Sequence, residues 1–292
     1  MGLLLHFDDE AVLAAELARA LGWPLAAVRC HAFPDGEWKL TLPATLPPRV
    51  AVLRGLHQPN AKLAALMILA PAARELGALD LALVAPYLAY MRQDMAFQPG
   101  EAVSQRHIGR ALAGWFDTVL TVDPHLHRVA TMDEVVPGRR GLAVSAAALI
   151  GAHVAAQVPG ALLLGPDEEA GQWARVAARA GGLQADVCHK VRHGDRDVHV
   201  ALPAGLAVQG RPVVLVDDVA STGRTLVEAA RAVLAAGAAT VDVAVTHALF
   251  VGDALAQVHA AGVRHVWSTN CVPHPSNVIC VAPLLAQALR SG

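Results

Sequence analysis

Short apolar runs of strand length alternate along this chain with longer Ala/Leu-rich segments of helical length, the pattern of βα units on a largely parallel sheet. It predicts an α/β fold. The clearest strands are residues 3–7, 50–53, 79–85, 118–122, 161–164, 212–216, 240–246 and 263–268. Helical stretches fall between them at 8–21, 60–76, 104–115, 168–180 and 225–236. Gly22, Gly77, Gly181 and Gly237 stand where helices must end, because glycine enters the left-handed cap without a side-chain clash. Two segments break the rhythm. Residues 30–42 predict a hairpin about Phe33-Pro34-Asp35-Gly36-Glu37, where Pro fixes φ and Gly tolerates its reversal. Residues 189–200 carry the polar stretch Lys190 to Asp197 between apolar flanks, which fits a solvated surface hairpin.

Length adds a second domain. At 292 residues the chain is twice the ~150-residue size of a common domain. The Pro137-Gly138-Arg139-Arg140-Gly141 stretch is the best boundary, giving domains 1–141 and 142–292. Lys plus Arg (23) nearly balances Asp plus Glu (25), which removes the electrostatic case for a nucleic-acid or anionic-membrane binder. The apolar stretches fall short of, or are too polar for, a span of ~20 residues. The N-terminal strand runs straight into Asp8, Asp9 and Glu10, with no basic export signal ahead of it. Cys30, Cys188, Cys271 and Cys280 lie far apart, so neither a disulfide framework nor a zinc site is suggested and a reducing cytoplasm fits best.

The chemistry concentrates at Val213 to Thr225. An apolar strand ends in Asp217 and Asp218, and the loop Ser221-Thr222-Gly223-Arg224-Thr225 then opens a helix. Ligands of open α/β sheets bind at strand carboxyl ends, and a helix N-terminus offers N–H groups to a phosphate. Paired carboxylates beside it suit the vicinal hydroxyls of a sugar, alone or with a divalent cation. A sugar phosphate is implied, although an ordinary helix cap and turn would also use these residues.

This segment resembles the phosphoribosyl-pyrophosphate (PRPP) loop shared by type I phosphoribosyltransferases and the ribose-phosphate pyrophosphokinases. Further blocks resemble the pyrophosphokinases in order: Phe33 to Glu37; Pro86-Tyr87 through Arg92-Gln93-Asp94; Asp123-Pro124-His125; Lys190-Val191-Arg192; and Asn270 to Leu285. Ordinary phosphoribosyltransferases lack the first half. The style is that of the archaeal-type members, with which Ser221 is shared.

The resemblance implies two similar phosphoribosyltransferase-type domains, each a mainly parallel sheet flanked by helices. Their implied activity is transfer of the pyrophosphoryl group of ATP to the 1-hydroxyl of ribose 5-phosphate, giving PRPP and AMP. The first domain would bind ATP through Phe33, Asp35, Glu37, Arg92, Gln93, Asp94 and His125. The second would hold ribose 5-phosphate on Asp217, Asp218 and Ser221 to Thr225. Lys190, Arg192 and His125 would be catalytic, with His125 and Asp167 contacting Mg2+. Because the Phe33 hairpin would reach a neighbouring subunit, a homo-oligomer, at least a dimer, is expected. The last helix could pack back on the first domain. Two positions depart from the family pattern: Arg224 stands where a second Gly is common, and Met95 where a cation usually follows Arg-Gln-Asp. A PRPP-consuming transferase and a non-catalytic regulatory homologue are the competing readings.

Overall fold

The computed structural model describes residues 2–126, 128–192, 198–203 and 205–291, with the side chains of 190–192 and 198–200 left undescribed. The chain divides into two units, residues 1–144 with 282–292, and residues 145–281.

In the first unit, β1 (Leu3–His6) leads through a 3-10 turn into α1 (Ala11–Leu21), then β2 (Leu25–Ala27). The hairpin β3 (Arg29–Ala32) and β4 (Trp38–Thr41) follows, then β5 (Arg49–Leu53), α2 (Pro59–Glu75) and β6 (Asp80–Ala85). The unit continues with α3 (Ser104–Trp115), β7 (Thr118–Val122), α4 (Met132–Val135) and β8 (Arg140–Val144). Its sheet has the order β2-β1-β5-β6-β7-β8, parallel throughout.

The second unit runs α5 (Ala147–Gln157), β9 (Leu162–Gly165), α6 (Gly171–Gly181), β10 (Gln184–Val187), then the antiparallel hairpin β11 (His189–Arg192) and β12 (Val198–Ala201). After it come β13 (Pro212–Ala220), α7 (Arg224–Ala235), β14 (Thr240–Ala248), α8 (Ala254–Ala260), β15 (Val263–Thr269) and β16 (Asn277–Ile279). The sheet order is β10-β9-β13-β14-β15-β16, again parallel. Both units therefore share one topology, with an extra hairpin between the second and third sheet strands. The α/β class expected from the alternation is the class observed. The stretch 137–141 runs into β8, and the chain passes to the second unit only after Val144.

Burial on both faces of β13 explains its unbroken apolar run. Val213 and Leu215 pack with Leu226 of α7 and Val258 of α8, while Val214 and Val216 pack with Ile150 of α5 and Ala174 of α6. The last helix, α9 (Ala282–Arg290), belongs to the first unit, where it lies against α1. Arg49 donates to the Leu289 carbonyl at 3.0 Å, and Arg290 donates to the carbonyl of Ala20. One expected cap moved by a residue: α6 runs through Gly181, and Gly182 takes the left-handed position at φ 63°. Gly181 stays in the helix because it packs closely on the α5 backbone.

Helices α5 and α6 meet at Gly151, where an added Cβ would sit 1.9 Å from the Ala177 carbonyl oxygen. Neither backbone can yield without disturbing the face that supports β13. Gly151→Ala is expected to destabilise the protein by about 1–3 kcal/mol, the ordinary cost of overpacking. Urea unfolding with unchanged stability would refute this close approach.

Candidate active site

In an open sheet of this order, the crevice lies where the strand sequence reverses, between β9 and β13 in the second unit. β9 pairs with β13 only over Val213–Leu215, whereas β14 accompanies it to Ala220. The apolar pattern ended this strand at Val216; the ladder to β14 carries it four residues further, through both acids. Asp217 and Asp218 therefore stand on ordered strand beyond its last pairing with β9, and Asp167 follows the β9 exit. Asp218 is buried, and its N–H donates to Asp217 Oδ1 at 2.9 Å. Burial, then the charges of Asp218 and Asp167, push the Asp217 acid well above the ordinary carboxylate range.

Ser221 and Thr222 turn the chain, and Gly223 at φ 71° precedes α7. A Cβ on Gly223 would strain that backbone and approach Val258 Cγ2 to 3.1 Å. The loop is tied down where β14 ends: Phe250 N–H donates to the Ala220 carbonyl at 2.9 Å and Val251 N–H to that of Ser221 at 3.0 Å. No side chain caps α7 among the described residues, so its first N–H groups face outward from a fixed base, the arrangement an anion uses. Arg224 is exposed on the first turn, and Thr225 is half-buried beside it. Asp167 accepts the Ala170 N–H at 3.2 Å, a turn-capping bond ahead of α6.

The remaining expected site residues are spread over loops of the first unit and the second hairpin. Phe33 lies exposed at the tip between β3 and β4, edge-on to His31 at 4.9 Å. Asp35 and Glu37 are exposed beside it, with the Glu37 N–H on Asp35 Oδ1 at 3.1 Å. Arg92 is exposed after β6. The Gln93 amide is engaged within its own loop, accepting from Ser104 N–H at 2.8 Å and donating to the Met95 carbonyl at 3.0 Å. Asp94 is buried; Arg128 Nε lies 3.6 Å from its Oδ1, while Oδ2 has no hydrogen-bond partner among the described residues. His125 is half-buried just past β7. Lys190 and Arg192 occupy β11 opposite Val200 and Val198; their side chains, and residues 193–197, lie outside the described structure.

A different cluster went unread in the sequence. Glu10, Arg54 and Lys62 form a buried charged group at the corresponding reversal of the first sheet, between β1 and β5. The acids Asp8, Asp9 and Glu10 directly after a strand were its one visible signal, and they read equally well as a helix start.

Among the described residues no three His, Cys, Asp or Glu side chains converge as a metal cage. The crevice still suits a hard cation. Burial and then the neighbouring carboxylates raise the Asp217 acid, so positive charge is favoured there, and Mg2+ typically takes one or two carboxylates and completes its shell with phosphates and water.

The sign of that repulsion is testable. An aspartate whose folded-state pKa is raised opposes folding once ionised, so its penalty grows as pH rises through and above the ordinary carboxylate range. Without substrate and with EDTA present, Asp217→Asn should therefore raise Tm at pH 7–8, and the gain should shrink towards pH 4. A variant that melts below wild type at pH 8 would contradict the electrostatic reading.

The chain matches the family model for the N-terminal domain of ribose phosphate pyrophosphokinase over residues 3–114 and that for the phosphoribosyl transferase domain over 143–269. It is 38% identical to a ribose-phosphate pyrophosphokinase of Methanopyrus kandleri over 99% of both chains. It is 35% identical to that of Halobacterium salinarum, across 98% of this chain and 100% of the relative. The crystal structure of phosphoribosylpyrophosphate synthetase from Mycobacterium smegmatis shares the fold, with TM-score 0.84 at 24% identity, covering 100% of this chain and 98% of that one. With both domains matched in order and the relatives spanned from end to end, this chain belongs to the ribose-phosphate pyrophosphokinase family.

Proposed function

We propose that this protein transfers the β,γ-pyrophosphoryl group of ATP to the 1-hydroxyl of ribose 5-phosphate, giving PRPP and AMP. The observation that carries the reading is the pair Asp217 and Asp218 standing ahead of an uncapped helix start, in a chain related over its whole length to enzymes of that name. In that crevice the N–H groups of the 221–225 loop and the Ser221, Thr222 and Thr225 hydroxyls take the 5-phosphate. Asp217 and Asp218 accept from the ribose hydroxyls.

The transfer forms a bond from the ribose O1 to the β-phosphorus and breaks the bond from that phosphorus to the oxygen of the α-phosphate. The hydroxyl proton leaves to solvent or base, and AMP departs. Such a step is governed by in-line positioning and neutralisation of crowded charge. Lys190 and Arg192 neutralise the migrating oxygens, which is where two cations lower the barrier most. Arg92, Gln93 and Asp94 hold the nucleotide with His125, and the exposed Phe33 offers a stacking face with Asp35 and Glu37 as acceptors. When bound, Mg2+ would supply charge neutralisation on the phosphates, and Asp167 and His125 are the residues that would contact it.

The enzyme works as a homo-oligomer, at least a dimer, a reading that rests on the family resemblance of the Phe33 hairpin and is supported by the exposure of Phe33. Its setting is the cytoplasm, consistent with four free cysteines. No described helix is long and apolar enough to cross a membrane.

Phosphorus NMR of the protein with Mg2+, ATP and ribose 5-phosphate should show AMP and a sugar pyrophosphate only in the complete mixture. Lys190→Ala should lower kcat on the order of 10²-fold or more. ADP in place of AMP would mean a different phosphoryl transfer.

A further inference from the structure

The reversal point of the first sheet carries a group of buried charges that the reaction does not use. Glu10 ends the turn after β1, Arg54 follows β5, and Lys62 lies in the first turns of α2; all three are buried. Arg54 donates to Glu10 Oε2 at 3.2 Å and to Asp9, and its guanidinium lies 4.2 Å from the Phe7 ring centroid. The Gly55 N–H donates to the second Glu10 oxygen, and Lys62 Nζ donates to the Gly55 carbonyl at 2.7 Å. Both faces of one loop residue are thus held by buried charged side chains. His57 also lies against Lys62, at 3.1 Å, and burial and the ammonium push its pKa down to about 4, leaving it neutral.

The loop so fixed is bonded to the segment after β6. Arg54 N–H donates to the Val84 carbonyl at 2.9 Å and Leu56 N–H to that of Tyr87 at 2.8 Å. Tyr90, at φ 67°, donates from its hydroxyl to Asn60 of α2. Arg92, Gln93 and Asp94 follow within four residues. Gln58, with φ 51°, is the other non-glycine residue held in the left-handed region here. Two strained positions on facing loops persist only where the surroundings over-determine them.

We propose that Glu10, Arg54 and Lys62 are positioning residues for ATP: by clamping the Gly55 peptide they set the height of the Tyr87–Asp94 segment, while leaving ribose 5-phosphate binding untouched. The inference rests on the reading that this segment binds the nucleotide. A buried charged clamp suits the task better than apolar packing, because its bonds fix direction as well as distance. Removing one partner also leaves the others buried and uncompensated.

The test is Lys62→Met, which keeps the stem and removes the ammonium. ATP affinity is measured by calorimetry with Mg2+ and no ribose 5-phosphate, and KM for each substrate by AMP formation. Expected are a roughly tenfold weaker ATP Kd and a KM for ATP raised in step, with KM for ribose 5-phosphate within twofold of wild type. Lys62→Arg, which retains a donor, should recover much of the loss. Unchanged ATP affinity in folded Lys62→Met, or parallel rises in both KM values, would overturn the proposal. Should that variant not fold, Glu10→Gln carries the same expectation and the same refutation. Wild-type protein that binds ATP yet forms no AMP would defeat the pyrophosphokinase reading, and the Kd comparison would still decide the clamp.

Discussion

Two aspartates that repel each other at the end of a strand buried on both faces are the constraint around which the second unit is built. Asp218 is buried, and a third carboxylate, Asp167, lies near Asp217, so burial and these neighbours make the ionised state of Asp217 unfavourable. A rigid support holds them there. Val213 to Val216 provide it by filling two separate cores, one with α7 and α8, the other with α5 and α6. The close approach at Gly151 and the left-handed Gly223 are consequences of the same demand, since each lets backbone lie where a side chain would hold the layers apart. Stability given up at the crevice is offset by packing around it.

The two units share one strand order and one inserted hairpin, yet their reversal points hold opposite solutions. In the second, the third sheet strand opens into hydroxyls and a helix start that no described side chain caps. In the first, the Gly55 N–H at the same topological place already has a carboxylate, that of Glu10, and the cations Arg54 and Lys62 close around it. The first unit's reversal point is filled by its own buried charged side chains. Burial pushes the Glu10 acid up to about 7 despite those cations. Topology supplied the crevice twice; side chains decided what each became.

Much of this was legible in the chain. The apolar runs located the central strands because parallel strands buried on both faces read as continuous hydrophobic stretches. Pro34-Asp35-Gly36 announced its hairpin for a stated stereochemical reason. Short edge strands were not legible: β2 is Leu25–Ala27 and β16 is Asn277–Ile279, too short for a period to register and exposed enough to need none. The far end of β13 was missed because Asp217 and Asp218 look like a strand terminus, and only the partner strand β14 extends it. The Glu10, Arg54 and Lys62 cluster joins residues distant in sequence, each of which has an ordinary local explanation. Among the candidate site residues, Asp217, Asp218 and the 221–225 loop stood out by their place between an apolar strand and a helix start, whereas the others were picked out by resemblance to a family.

The same distinction bears on the two departures from the family pattern. A side chain at Arg224 looks harmful if glycine there serves to bring backbone up to a phosphate. In the fold the demanding conformation falls on Gly223 instead, at φ 71°, and Arg224 is the first residue of α7 with its side chain exposed. Its N–H belongs to the uncapped first turn, so the backbone can serve an anion while the guanidinium stays in solvent. Met95 is half-buried, and its carbonyl anchors the Gln93 amide, a bond made by backbone and therefore indifferent to the lost cation. Both departures place side chains where the local geometry is carried by main chain.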